Sequence, residues 1–157
     1  MAAVMSKRGA WIMVCAVGLA LAGCASAPKP TTVTGSIEAV AQLNPSAARR
    51  PSPMLLRIYE LKTAAAFNGA DFMSLYQSDQ ATLGAELLAR EEVTLKPSES
   101  RPYSKTLAQD TRFIGIMGAY RDVERATWRA VVPVQPGKPQ KLIIKAGELA
   151  ITATMSQ

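Results

Sequence analysis

Leu21-Ala22-Gly23-Cys24 is the most chemically informative segment of the chain: a small-residue pair ends on a cysteine, directly after an apolar run. Lys7 and Arg8 precede that run, which extends from Gly9 to Leu21. It is shorter than the about 20 apolar residues a helix needs to cross a bilayer. A charged start, a short apolar middle and a small-residue cleavage site form the pattern of an export signal over residues 1–23. A cysteine just after the cleavage point converts secretion into lipid anchoring. The pattern predicts cleavage between Gly23 and Cys24, with acyl chains on the Cys24 sulfur and on its new amine. The competing readings are a plain secretory signal, or a short membrane anchor that happens to contain a cysteine.

Little other chemistry is available. The chain has no histidine, and its two cysteines are Cys15, inside the export segment, and Cys24. Zinc sites built on His or Cys are therefore excluded. So are Ser-His-Asp and Cys-His nucleophile pairs, and the commonest general base near neutral pH. Glu91 and Glu92 are adjacent on an expected strand, so they point to opposite faces and cannot work as an acid/base pair. Ser104-Lys105 fails as a dyad for the same reason. Gly137-Lys138 lacks the upstream glycines of a phosphate loop. Arg121, Arg125 and Arg129 recur at helical spacing, but Asp122 and Glu124 lie among them and Trp128 opens a strand, which reads as a solvated turn. The chain reads as a non-enzyme with no metal and no cofactor beyond the lipid on Cys24.

Loss of residues 1–23 leaves 134 residues, enough for one domain with a real core. Without Lys7 and Arg8, 16 basic and 12 acidic side chains remain, and they are spread along the chain. That pattern is a mixed-charge surface rather than a nucleic-acid footprint. Residues 24–32 hold the acylated cysteine and a small, proline-spaced tether. Residues 33–157 form the domain.

Apolar segments with strand character cover Val33 to Leu43, Met54 to Lys62, Leu87 to Leu95, Tyr103 to Leu107, Phe113 to Tyr120, Trp128 to Val134, Gln140 to Lys145 and Leu149 to Met155. The second alternates imperfectly, which predicts a bulge or a change of face. Gly115 and Gly118 predict a close approach or a bulge. Leu56, Ile58, Ile114, Ile116, Val132 and Ile143 are expected in the core. Near residues 63–78 the period becomes helical: Thr63 is expected to cap a turn over Ala64 to Phe67. Asp71 is expected to cap a helix with Phe72, Leu75 and Tyr76 on one face. Frequent turns between eight strands predict a sandwich or barrel, all-β apart from this small helical insert.

These features together resemble the outer-membrane lipoproteins of type VI secretion systems, the TssJ family (SciN, VasD, Lip). The resemblance rests on the lipobox at Cys24 and on a first strand ending in Leu43-Asn44-Pro45. It rests also on Arg57-Ile58-Tyr59-Glu60-Leu61-Lys62; on Phe67-Asn68-Gly69-Ala70-Asp71-Phe72 with Leu75-Tyr76; and on Phe113-Ile114-Gly115-Ile116 running to Ala119-Tyr120-Arg121-Asp122. It implies a transthyretin-like β-sandwich of about eight strands. It also implies a lipoprotein held in the outer membrane and facing the periplasm. There it would bind the periplasmic C-terminal region of TssM, within a TssJ-TssL-TssM membrane complex that anchors the injection apparatus.

The resemblance assigns that contact to the loop between the first two strands, here Asn44, Pro45, Ser46, Ala47, Ala48, Arg49, Arg50, Pro51, Ser52 and Pro53. Its prolines limit the order lost on binding, and Arg49 and Arg50 offer forked donors. Ala25 follows the cysteine where enteric bacteria place Asp for inner-membrane retention, which favours the outer membrane. The rival function is a lipid-anchored glycan- or peptidoglycan-binding module, with Trp128, Tyr103 and Tyr120 as a stacking platform.

Overall fold

The computed structural model describes residues 28–157. The expected export segment, residues 1–23, and the expected acylation site Cys24 with its immediate neighbours lie outside the described residues. Eight strands are present among the described residues: β1 (Thr31–Ala39), β2 (Met54–Leu61), β3 (Leu87–Leu95), β4 (Ser100–Leu107), β5 (Phe113–Gly118), β6 (Arg129–Pro133), β7 (Pro139–Ala146) and β8 (Ile151–Ser156). Two helices, α1 (Ala65–Gly69) and α2 (Phe72–Leu83), follow β2, and a 3-10 turn over Gly84–Glu86 leads into β3.

The strands make two four-stranded sheets, in the orders β4-β1-β7-β8 and β3-β2-β5-β6. Only β1 and β7 run parallel; the other neighbours within a sheet are antiparallel. Period-2 alternation points one face of each sheet inward. Val33, Ile37, Leu142 and Ile144 from one sheet meet Leu56, Ile58, Ile114 and Ile116 from the other. This is the expected β-sandwich.

The second sheet is covered on its outer face as well. Tyr59, Leu61 and Met117 pack there against Phe67, Leu75 and Leu83 of the insert. A strand buried on both faces loses clean alternation, which explains the irregular apolar pattern of β2. The register of β2 also shifts between Glu60 and Leu61, as a bulge would make it. Gly115 fits the close-approach reading: a Cβ there would lie 3.1 Å from Phe67 Cζ and from Leu61 Cδ1.

Two buried carboxylates tie the layers together. Asp79 of α2 accepts from Arg90 at 2.8 Å and from the Tyr59 hydroxyl at 3.2 Å, and lies 3.5 Å from Arg57. Glu60 of β2 meets Lys105 of β4 at 2.8 Å, crossing from one sheet to the other. It also accepts from Ala108 N and from the Thr111 hydroxyl. Burial pushes each carboxyl upward, but these donors more than offset it and hold both below the usual carboxylate range.

Several expectations need correction. β1 ends at Ala39, not Leu43: Val40 to Leu43 form a turn, although Leu43 is still buried. It also starts two residues early, at Thr31. Ile143 is only half-buried, and its neighbours Leu142 and Ile144 fill the core. The insert runs past residue 78, to Glu86, with a kink at Ser78. Asp71 caps α2 as expected, accepting from Ser74 N at 2.9 Å. Thr63 does not cap α1. The residue at that cap is Ala64, and Thr63 Oγ1 only accepts a long bond, 3.4 Å, from Ala65 N.

Candidate partner-binding surface

The β1–β2 connection is built on two buried polar posts, Asn44 (3% exposed) and Ser52 (7%). Asn44 adopts φ +46°, a left-handed conformation that asparagine tolerates better than most residues. Its Oδ1 accepts from Arg121 N at 2.8 Å, and its Nδ2 donates to Pro53 O at 3.1 Å. Its own backbone N–H donates to Glu148 O. Ser52 N donates to Leu43 O at 3.0 Å, closing the base of the loop. Of the ten residues assigned to the contact, Asn44 and Ser52 are therefore buried rather than available to a partner. A buried polar group needs partners, and both residues sit where the loop meets the sandwich.

Between the posts the chain folds back on itself. Ser46 N donates to Arg50 O and Arg49 N donates to Ser46 O, both at 2.8 Å. Arg50 N donates to the Ser46 hydroxyl at 3.2 Å. Pro45 and Ser46 are half-buried, while Ala47, Ala48, Arg49, Arg50, Pro51 and Pro53 are exposed. Arg49 lies 3.6 Å from Glu148, with its side chain 85% exposed. So loose a surface pair contributes little stability and leaves the guanidinium available.

The loop forms one wall of an open groove of about 790 Å³; the turn Arg121 to Arg125 and residues Glu148 and Leu149 form the others. Asp122 and Arg125 pair within the turn, and the hydrogen bond from Arg125 lowers the Asp122 pKa. The groove thus offers both signs of charge around an irregular concave surface. Sequence reasoning anticipated the loop and the turn separately. It missed the joint between them, Asn44 to Arg121, and it missed Glu148. The one local signal was an asparagine before a proline, a residue type that accepts φ > 0.

The other candidates do not converge. Arg129 leaves the series Arg121, Arg125, Arg129: it donates to Phe67 O at 3.0 Å and Ala70 O at 2.7 Å and stacks on Trp128, clasping the insert. That corrects the reading of all three as one solvated turn. Tyr103 and Tyr120 are buried in the core, and burial raises the pKa of both hydroxyls. Trp128 packs edge-on against Phe72. Trp128, Tyr103 and Tyr120 therefore share no exposed platform. Glu92 pairs with Arg57, whereas Glu91 lies toward Lys105 on the other face. No group of three or more Asp, Glu, His or Cys side chains placed to hold a metal occurs among the described residues. No helix among them is long and apolar enough to cross a membrane.

Comparison with known proteins follows the same lines. Residues 31–149 match the family model described as type VI secretion lipoprotein, VasD, EvfM, TssJ, VC_A0113. The crystal structure of the type VI lipoprotein TssJ1 from Pseudomonas aeruginosa is 41% identical, with a TM-score of 0.78, covering 82% of this chain and 98% of that one. Lip of Serratia marcescens, a membrane-bound component of the type VI secretion system, is 26% identical with a TM-score of 0.73, over 80% of this chain and 98% of that one. A chain in a structure described as the TssM C-terminal domain from EAEC is 28% identical with a TM-score of 0.63, over 78% of this chain and 99% of that one. No curated protein matches. With the family model covering most of its length and the fold shared with TssJ1 and Lip, the chain belongs to the type VI secretion lipoprotein family.

Proposed function

We propose that the chain is exported, cleaved before Cys24, acylated there and held on the periplasmic face of the outer membrane. Its exposed β1–β2 loop then binds the periplasmic C-terminal region of TssM within a TssJ-TssL-TssM complex. The observation that carries this reading is the position of the loop. β1 starts at the tether and ends at the loop, so a strand of nine residues separates anchor from partner surface, about 30 Å at 3.3 Å per residue. The surface thus lies at the end of the domain remote from the anchor, where a partner reaching across the periplasm has access to it. A similar chain occurs in a structure described as that of the TssM C-terminal domain, which supports the choice of partner. Lipid attachment confines the domain to a thin layer and raises its effective concentration for a partner reaching that layer. Several acyl chains on one cysteine would make the anchoring stable. The role is that of a tethered binding protein, not an enzyme. The glycan-binding alternative loses its support with the burial of Tyr103 and Tyr120.

The test is replacement of Ala47 to Pro51 with a Gly/Ser segment of equal length. These residues are exposed, so thermal stability should hold. Affinity for the TssM periplasmic region, read by titration calorimetry, should fall about tenfold or more, or roughly 1.4 kcal/mol. Unchanged affinity in a folded variant would move the contact elsewhere, first to the turn Arg121 to Arg125. The anchor is tested separately: Cys24→Ser should leave the protein unacylated and absent from the outer-membrane fraction.

A further inference from the structure

At the end of the sandwich opposite the loop, the tether enters β1 beside two connections, β4–β5 and β6–β7. Gly137 N donates to the Thr31 hydroxyl at 2.8 Å, fixing the β6–β7 turn against the start of β1. Pro28, Lys29 and Pro30 lie with Gln109, Arg112, Pro136 and Gly137 around an open groove of about 510 Å³. Lys62 reaches the same end, because its N–H bonds Glu86 O where β2 gives way to the insert, and Arg112 N bonds Leu61 O one residue earlier.

Four exposed cations therefore ring this end: Lys29, Lys62, Arg112 and Lys138. None forms a salt bridge among the described residues; the Arg112 side chain donates only to the carbonyls of Gln109 and Thr111, and that of Lys138 only to Gln135 Oε1. Of the acidic side chains at the tether end, Glu60 is buried against Lys105, Glu86 accepts from Ala66 N, and Asp110 is exposed. No acidic residue occurs in the chain before Glu38. Four exposed cations without acidic partners are complementary to an anionic surface.

Chain length says which. From Cys24 to Pro28 there are four residue steps, at most about 14 Å of chain. At about 0.1 M salt, charge is felt over roughly 10 Å. A lipid on Cys24 thus holds the four cations within or near the reach of the surface that receives it. We propose that this end of the domain rests on the anionic headgroups of its own membrane, with Lys29, Lys62, Arg112 and Lys138 as the contacts. This inference rests on the lipid-anchoring reading above. Its consequence is orientation: the domain stands on the bilayer with β1 upright and the loop at residues 44–53 outward, instead of pivoting on its tether.

The test uses the mature acylated protein, in which a cysteine introduced at Gln109 or Ala47 is the only free thiol for a spin label. The labelled protein is reconstituted in vesicles containing phosphatidylglycerol, or in phosphatidylcholine alone. Flotation with the vesicles reads anchoring, and collision of the label with a water-soluble nickel chelate reads orientation. With phosphatidylglycerol, the label at position 109 should be severalfold less accessible than at 47. The difference should vanish in phosphatidylcholine and in the variant Lys29→Gln, Lys62→Gln, Arg112→Gln, Lys138→Gln. Protein that floats but shows equal accessibility at both positions overturns the proposal and spares the anchor. So does protection at 109 that is insensitive to lipid charge. Protein that does not float overturns both.

Discussion

Asn44 and Arg121 are joined across 77 residues of chain by a 2.8 Å hydrogen bond, from the Arg121 backbone N–H to the Asn44 side-chain oxygen. The bond fixes the β1–β2 loop to the β5–β6 connection, so the two walls of the groove at this end are held by one buried amide.

Replacing that amide should be costly. Asn44→Ala removes the acceptor for Arg121 and the donor to Pro53, in a buried position with positive φ. The expected loss is about 1 to 3 kcal/mol in urea unfolding, with weaker binding of the TssM region. Asn44→Asp keeps the acceptor for Arg121 but sets a buried carboxylate oxygen against Pro53 O, so it should not restore the stability. If the alanine variant unfolds like the wild type, the joint is not structural.

The arginines should behave in the opposite way. Arg49→Ala with Arg50→Ala leaves both posts intact and breaks only a loose, exposed pair with Glu148. Stability should move by no more than about 0.5 kcal/mol. If the guanidinium groups contact the partner, affinity should still drop about tenfold, near 1.4 kcal/mol. Comparison with the Gly/Ser swap then separates lost donors from lost proline stiffness.

Within the core, neighbouring isoleucines should differ sharply. Ile144 is fully buried and Ile143 is not. Ile144→Ala should cost about 2 to 5 kcal/mol, and Ile143→Ala clearly less. Equal costs in denaturant titrations would mean that β7 presents the other face to the core.

That pair also illustrates how the sequence can mislead. Leu142, Ile143 and Ile144 form a continuous apolar run, from which the wrong parity is easily chosen. Lys141 and Lys145, two residues either side of Ile143, mark its face as the solvated one, and exposed charges are the better guide to strand register. Elsewhere local signals sufficed: turn residues separated eight strands, and the spacing of Phe72, Leu75 and Tyr76 with Asp71 before them located α2. What remained hidden depends on distant neighbours. Gly35 is an example, because a Cβ there would sit 1.7 Å from Leu142 O on the paired strand. The Asn44–Arg121 joint is another: the loop was legible as a candidate site by composition and resemblance, but the groove beside it was not.

Acid should loosen the insert. Burial disfavours the charged form of Asp79, but the bond from Arg90 and the nearby Arg57 outweigh it, so its folded pKa is depressed. Such a group stabilises fully above its unfolded pKa, about 3.9, and that contribution is lost as pH falls through the lower folded value. Asp79→Asn should therefore destabilise by about 1.5 to 3 kcal/mol at neutral pH. Below pH of about 4 the wild type should converge on the variant. A gap that stays constant from neutral to acid pH, measured by chemical unfolding, would rule out this charge as the source.

The central place of β1 has a mechanical meaning. Any pull between the lipid and a partner seized at residues 44–53 enters the domain at one end of this strand and leaves at the other. β1 is not an edge: it pairs with β4 through eight register positions and with β7 through eight more. Force along its axis acts across both ladders at once, at right angles to their hydrogen bonds. The bonds must then shear together, whereas an edge strand pulled sideways would unzip them one at a time. With the anchor and partner contact proposed above, tension between membrane and partner would run along the most doubly held strand of the domain.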